Sequence, residues 1–173
     1  QGVGRESPQL TDGVIQGAGR KAGLNLSPAK RLDVNLAWRY YDVKTSYHGV
    51  LLEKPLLPRQ RYLLTVSYAS KFEKWAFDFT AVRYGHSRLP DMTGAMDIYH
   101  PEYSPVYHTF NLQITKNFKR WSIYAGSENL LDYKQPDPIV GADDPFGPDF
   151  DASMIWGPVE GRRLYAGLRF KLK

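Results

Sequence analysis

The 173 residues carry 23 basic and 18 acidic side chains, a net charge of +5, and no cysteine, which excludes disulfides and thiolate metal sites. The basic residues are scattered rather than clustered, which argues against nucleic acid as a partner. No stretch reads as a signal peptide, and no apolar run approaches the roughly 20 residues of a spanning helix, so an integral membrane role would have to use strands.

In chain order, Gln1–Asp12 reads as the tail of a loop. A glycine-rich strand is expected at about 14–27, with Ala22, Leu24 and Leu26 as its apolar side. After a short turn at Ser27–Arg31, Leu32, Val34, Leu36, Trp38 and Tyr40 alternate with Asp33, Asn35 and Arg39. Alternation at period two puts one set on each face of a strand. A long loop is expected over Thr45–Pro58. Tyr62, Leu64, Val66 and Tyr68 then oppose Arg61, Thr65 and Ser67 in a strand at about 60–70.

A tight turn at Ser70–Lys74 leads to a strand at about 74–85, where Trp75, Phe77, Phe79 and Ala81 oppose Asp78 and Thr80. A second long loop covers Ser87–Tyr107. The strand at about 108–118 sets Phe110, Leu112, Ile114 and Phe118 against Thr109, Asn111, Gln113 and Thr115. The turn Asn117–Arg120 and a strand at about 121–131 follow, with Trp121, Ile123 and Ala125 opposite Ser122, Tyr124, Gly126 and Glu128. The third long loop is Tyr133–Gly161. In the last strand, from Arg163, the residues Leu164, Ala166, Leu168, Phe170 and Leu172 alternate with Arg163, Arg169, Lys171 and Lys173.

Seven strands are thus joined by alternating short and long connections. A membrane barrel produces this rhythm, with tight turns on the periplasmic side and long loops outside. Two short turns resemble each other, Lys71-Phe-Glu-Lys-Trp75 and Asn117-Phe-Lys-Arg-Trp121. Aromatic rings at both shoulders of a hairpin suit the headgroup level of an interfacial girdle. The apolar sides of the strands would face lipid, while Arg39, Arg61, Tyr124, Glu128, Arg163 and Arg169 would face a lumen.

Three segments carry a family resemblance. Glu128-Asn-Leu-Leu-Asp-Tyr133 precedes the last loop, Phe150-Asp-Ala-Ser-Met-Ile-Trp-Gly-Pro158 precedes the final strand, and Gly167, Phe170 and Leu172 mark the terminal strand. Together they resemble the carboxyl-terminal β-barrel segment of a TonB-dependent outer-membrane receptor. The family usually ends on an aromatic residue, whereas this chain ends Leu172-Lys173. The resemblance implies an all-β, antiparallel transmembrane barrel of about 22 strands around an amino-terminal plug. Residues 1–173 would supply about seven carboxyl-terminal strands, and the plug and remaining strands would come from the same precursor or a second chain.

The resemblance further implies energised import of a scarce nutrient, such as an iron-siderophore, haem or cobalamin, driven by a TonB–ExbB–ExbD complex. The implied partners are outer-membrane lipid and the barrel-assembly machinery, which would read Gly167, Phe170 and Leu172. Some branches add a surface lipoprotein, for which no residue here argues. With the carboxyl terminus periplasmic, the long loops would be extracellular and would present Tyr47, His48, Met92, Met96, Tyr99, His100, Tyr103 and Trp156 to ligand. Methionine, histidine and tyrosine together suit a metal complex or a planar ring such as haem, although tyrosines and prolines also simply pack a long loop.

Asp143, Asp144, Asp149 and Asp151 offer oxygens to a cation such as calcium, but without the spacing of a known calcium loop. A proline-stiffened loop rich in Asx turns accounts for them without a metal. No motif brings a nucleophile to a base, so no catalytic site and no enzyme is expected. Two other readings remain open at this level: a passive outer-membrane pore or structural barrel assembled from several chains, and a soluble β-sandwich.

Overall fold

The structure is a computed structural model that describes residues 15–47, 49–90, 101–147 and 150–171. It contains eight strands: β1 (Ile15–Ala29), β2 (Leu32–Tyr47), β3 (Val50–Glu53), β4 (Gln60–Ala69), β5 (Trp75–Tyr84), β6 (Tyr107–Asn117), β7 (Trp121–Glu128) and β8 (Arg163–Phe170). All pair antiparallel in one sheet of order β1-β2-β4-β5-β6-β7-β8, with β3 on β2. The seven expected strands form this path. The eighth, β3, lies where a long loop was expected: β2 runs on to Tyr47, and the chain folds back so that Tyr47 pairs with Val50. Gly49, at φ 81°, takes a backbone conformation there that a side chain would disfavour.

Register explains why the two faces stay separate. Cross-strand partners project to the same side, so like must meet like on every rung. One rung reads Leu26, Val34, Val66, Phe79 and Leu112; the next reads Leu24, Leu36, Leu64, Ala81 and Phe110. Towards the short turns lie Leu32, Tyr68, Phe77, Ile114, Ala125 and Ala166. These three rungs carry no charge. They are bounded by Lys116, opposite Trp75, at one end and by Arg83, opposite His108, at the other.

From Trp75 to Arg83 is eight residues, about 26 Å along the strand. A wall strand tilted by about 40° would turn this into an uncharged band roughly 20 Å tall, close to the apolar belt of a membrane barrel. In a membrane wall charges would be expected to stop at such borders, since a lipid-facing Lys or Arg costs about 2–4 kcal/mol at the midplane and little at the interface. Lys116 stands 4.7 Å from the Trp75 ring and Arg83 5.4 Å from the Tyr62 ring, so both borders join a cation to an aromatic ring.

Among the described residues, neither face is covered by a second layer. Leu24, Leu36, Ile123 and Leu168 on the apolar face are all exposed. The accessible surface of 13300 Å² compares with about 8,600 Å² for a compact monomer of this mass. A soluble sandwich would bury the apolar side against a partner sheet, and among the described residues none exists. No described helix is long and apolar enough to cross a membrane, which says nothing about strands.

The two look-alike turns are built differently. Phe118 stacks on Trp121 at 3.9 Å, whereas Phe72 lies in a 3-10 turn (Lys71–Glu73) at φ 60° and is 79% exposed. Trp75 stacks instead on Phe77 of its own strand. Strand β7 also ends earlier than its pattern suggests, because Asn129 turns the chain at φ 50°.

Candidate functional site: the polar face and its rim

The polar face is graded along the strands. Near the short turns, Asp33, Ser67, Asp78 and Gln113 share a rung. Their polar groups are mutually engaged: Ser27 donates to Asp33 at 2.7 Å, Ser67 to Asp78 at 2.8 Å and Tyr165 to Gln113 at 3.1 Å. Above it, Asn25, Asn35, Thr65, Thr80 and Asn111 form an uncharged rung in which Asn35 donates to Asn25. Three rungs above the acidic one, about 20 Å along β2 by strand geometry, the register aligns Lys21, Arg39 and Arg61.

No described carboxylate pairs with any of these three cations. They surround a recess of about 450 Å³ whose floor is low because Gly23, Ala37 and Leu63 occupy the adjoining rung. Unpaired cations on consecutive strands repel one another, so the rung attracts a negative partner.

The same rung continues as aromatic residues. Arg61 lies 5.0 Å from the Tyr84 ring, Tyr84 stacks on Tyr107 at 4.6 Å, and Tyr107 on Tyr133 at 5.3 Å. Trp156 tilts against Tyr107 at 5.6 Å, and its carbonyl accepts the Tyr107 hydroxyl at 3.1 Å. Tyr107 is buried, and burial pushes the Tyr133 hydroxyl pKa up. The cationic rung thus passes directly into the base of the loops.

The loops are stapled to one another. Leu56 N donates to Arg88 O at 2.8 Å and Arg59 N to His86 O at 3.1 Å, joining the β3–β4 segment to the β5–β6 loop. Within the latter, Leu89 N donates to Glu102 O and Ser104 N to Ser87 O, both at 2.8 Å. Leu89 then packs with Val140 and Met154 of the β7–β8 loop in a small buried cluster beside Trp156. Arg59 pairs with Glu53 at 3.2 Å, which pushes its pKa above the usual guanidinium value.

Three residues organise the β7–β8 loop. Asn129 donates through Nδ2 to Tyr133 O at 2.6 Å and to Glu160 O at 3.5 Å, and accepts Tyr133 N at 3.1 Å. The carboxylate of Asp132 accepts Arg162 N at 2.6 Å, which holds its pKa below the ordinary carboxylate range. Gln135, which is buried, donates to Met154 O at 2.7 Å and accepts both Trp156 N at 2.8 Å and Gly157 N at 2.9 Å. The segments 128–133 and 150–158, singled out in the sequence, are therefore the parts these residues tie down.

The expected ligand-facing set divides. Tyr47 and Tyr103 converge on Arg88, whose guanidinium lies 6.0 Å from the Tyr47 ring and whose backbone bridges Tyr103. Trp156 belongs to the Tyr107 cluster, while His48, Met92, Met96, Tyr99 and His100 lie outside the described residues. Arg39, Arg61, Tyr124, Glu128, Arg163 and Arg169 all fall on the polar face, but at two places: the first two on the cationic rung, the rest on β7 and β8. There Arg163 binds Glu128 at 2.6 Å, and Arg169 lies 5.8 Å from the Tyr124 ring.

Gly167 faces Tyr124 across the pair, and Phe170 faces Trp121; Leu172 lies outside the described residues. Asp151 accepts Ser153 N at 2.7 Å and pairs with Val140, while Asp143 and Asp144 are exposed and Asp149 is not described. No three acidic or histidine side chains converge among the described residues. Lys21, Arg88, Tyr84 and Gln135 were not anticipated, and Asn129 stood in the segment 128–133 with no role of its own. Pairing the apolar positions across strands would have aligned Lys21 with Arg39 and Arg61.

No family model matches the sequence, and no curated protein does. Among solved structures, a mutant of the ferric enterobactin receptor PfeA from Pseudomonas aeruginosa is similar, at 19% identity and a TM-score of 0.56. The likeness covers 87% of this chain but 21% of that one, so the chain spans about a fifth of the receptor's length. The sheet is similar in fold to part of an outer-membrane receptor barrel.

Proposed function

We propose that residues 1–173 form a carboxyl-terminal part of the wall of a TonB-dependent outer-membrane transporter, and that its cargo is an anionic, ring-bearing nutrient complex of the iron-siderophore type. The carrying observation is the Lys21–Arg39–Arg61 rung, unpaired by described carboxylates and continuous with the Tyr84–Tyr107–Tyr133 stack. Guanidinium groups bind oxyanions through fixed pairs of donors, and aromatic rings accept a flat partner with little entropy loss. The receptor of similar fold is named for ferric enterobactin, which supports the same class here. Haem and cobalamin are the competing cargos. In this reading the plug and TonB contacts lie elsewhere in the complete transporter, and the chain performs no catalysis.

The test is equilibrium binding to the complete transporter in detergent, comparing a ferric tris-catecholate anion with a neutral ferric hydroxamate. Replacing Arg39 and Arg61 by Gln should weaken the anion by at least about tenfold, or about 1.4 kcal/mol, and leave the neutral complex unchanged. Equal affinities for wild type and variant towards the anion would overturn the assignment of this rung as the cargo site.

A further inference from the structure

The apolar face holds a second feature that the transport reading leaves unused. On the rung Leu64–Ala81–Phe110, alanine stands between two large side chains. Its short side chain leaves a notch there. The notch belongs to an apolar groove of about 400 Å³ that also reaches Leu36 and Trp38. One rung further, Arg83 and His108 face each other and line the groove. Arg83 is steadied over the Tyr62 ring, and the His108 ring lies parallel to Phe110 at 6.4 Å. Both are exposed, and no described carboxylate neutralises Arg83.

We infer that this groove seats one phosphate-bearing lipid, with an acyl chain in the Ala81 notch and its phosphate on Arg83 and His108. The chemistry is complementary at both ends. The floor is hydrocarbon, whereas the Arg83–His108 rung offers a forked guanidinium and an imidazole that can donate in either tautomer. The position is also right: Arg83 and His108 mark the border of the uncharged band, where a headgroup would lie if that band spans lipid. The inference rests on the reading of this sheet as a membrane wall.

The experiment is native mass spectrometry of the complete transporter extracted from membranes in mild detergent, counting retained phospholipid and phosphorylated glycolipid. Two variants probe the two ends of the seat, Arg83→Gln at the phosphate and Ala81→Phe in the notch. Each should lower retention of the bound lipid by at least fivefold. The heat-dependent gel shift of a closed barrel serves as the folding control, and 10 mM inorganic phosphate should not displace the lipid.

A retained glycolipid would place this rim in the outer leaflet, and a glycerophospholipid would place the same seat in the inner one. Undiminished retention in either variant, with the gel shift intact, overturns the lipid seat alone. So does displacement by inorganic phosphate, which would mark a free-anion site. A wild-type protein that stays in solution without detergent and shows no gel shift overturns the membrane reading itself.

Discussion

Asn129 shows how much one side chain can fix. It bonds to the chain four residues on and to Glu160, 31 residues on, and it occupies a backbone conformation that asparagine tolerates better than most residues. Asn129→Gly keeps the backbone freedom and loses the bonds, so it isolates their contribution. Loss of these partly buried contacts should cost about 1–3 kcal/mol, read as faster amide exchange across residues 130–160. Asp132 makes the neighbouring anchor and titrates. Its pKa is depressed in the folded state, so the bond to Arg162 N is fully stabilising above the unfolded carboxylate pKa and is lost as pH falls through the lower folded value. Protection of the Arg162 amide should therefore hold at neutral pH and fall only in the acid range below that of an ordinary aspartate. Asp132→Asn should flatten this pH dependence.

Among the elements, the β7–β8 pair depends on glycine at two positions. Tyr124 lies over Gly167 and Tyr165 over Gly126, each tyrosine filling the space opposite its cross-strand partner. A Cβ on either glycine would run into the opposing ring, so Gly126→Ala or Gly167→Ala should lower the urea midpoint and weaken the heat-dependent gel shift. Tyr165→Phe, which loses only the bond to Gln113, should do so much less. The strands were legible because period-two alternation is local, and Tyr62 to Tyr68 or Phe110 to Ile114 report their face without help from elsewhere. The β3 hairpin was hidden because Val50-Leu-Leu-Glu53 is too short to show alternation and is held by pairing with β2. The Lys21–Arg39–Arg61 rung was half legible: each cation falls on the polar side of its own strand, but only register brings them level. The role of Gln135 could not be read, since it depends on bonds to residues 19–22 positions away.

For the whole molecule, strand parity separates the importer from a pore built of copies. The described sheet has seven strands along its path, so β1 and β8 run in the same direction. Joining β8 of one copy to β1 of the next would make a parallel seam in an otherwise antiparallel wall. A partner segment with an odd number of strands satisfies both edges antiparallel, and leaving them bare in lipid would cost several kcal/mol per unpaired backbone group. The chain lacks cysteine, so Ala18→Cys on β1 with Ala166→Cys on β8 gives a clean test. Under oxidation in membranes, no ladder of disulfide-linked copies should form. A ladder would favour the pore.

The staples between the first two loops run between main-chain atoms, from Leu56 to Arg88 and from Arg59 to His86. Such bonds are indifferent to side-chain identity but sensitive to the number of residues between them. The stretches between these bonds should therefore tolerate exchange of exposed side chains while resisting insertions and deletions, unlike ordinary surface loops. In the transport reading, changes of cargo preference would then arise by exchange of exposed side chains on a rim of constant length.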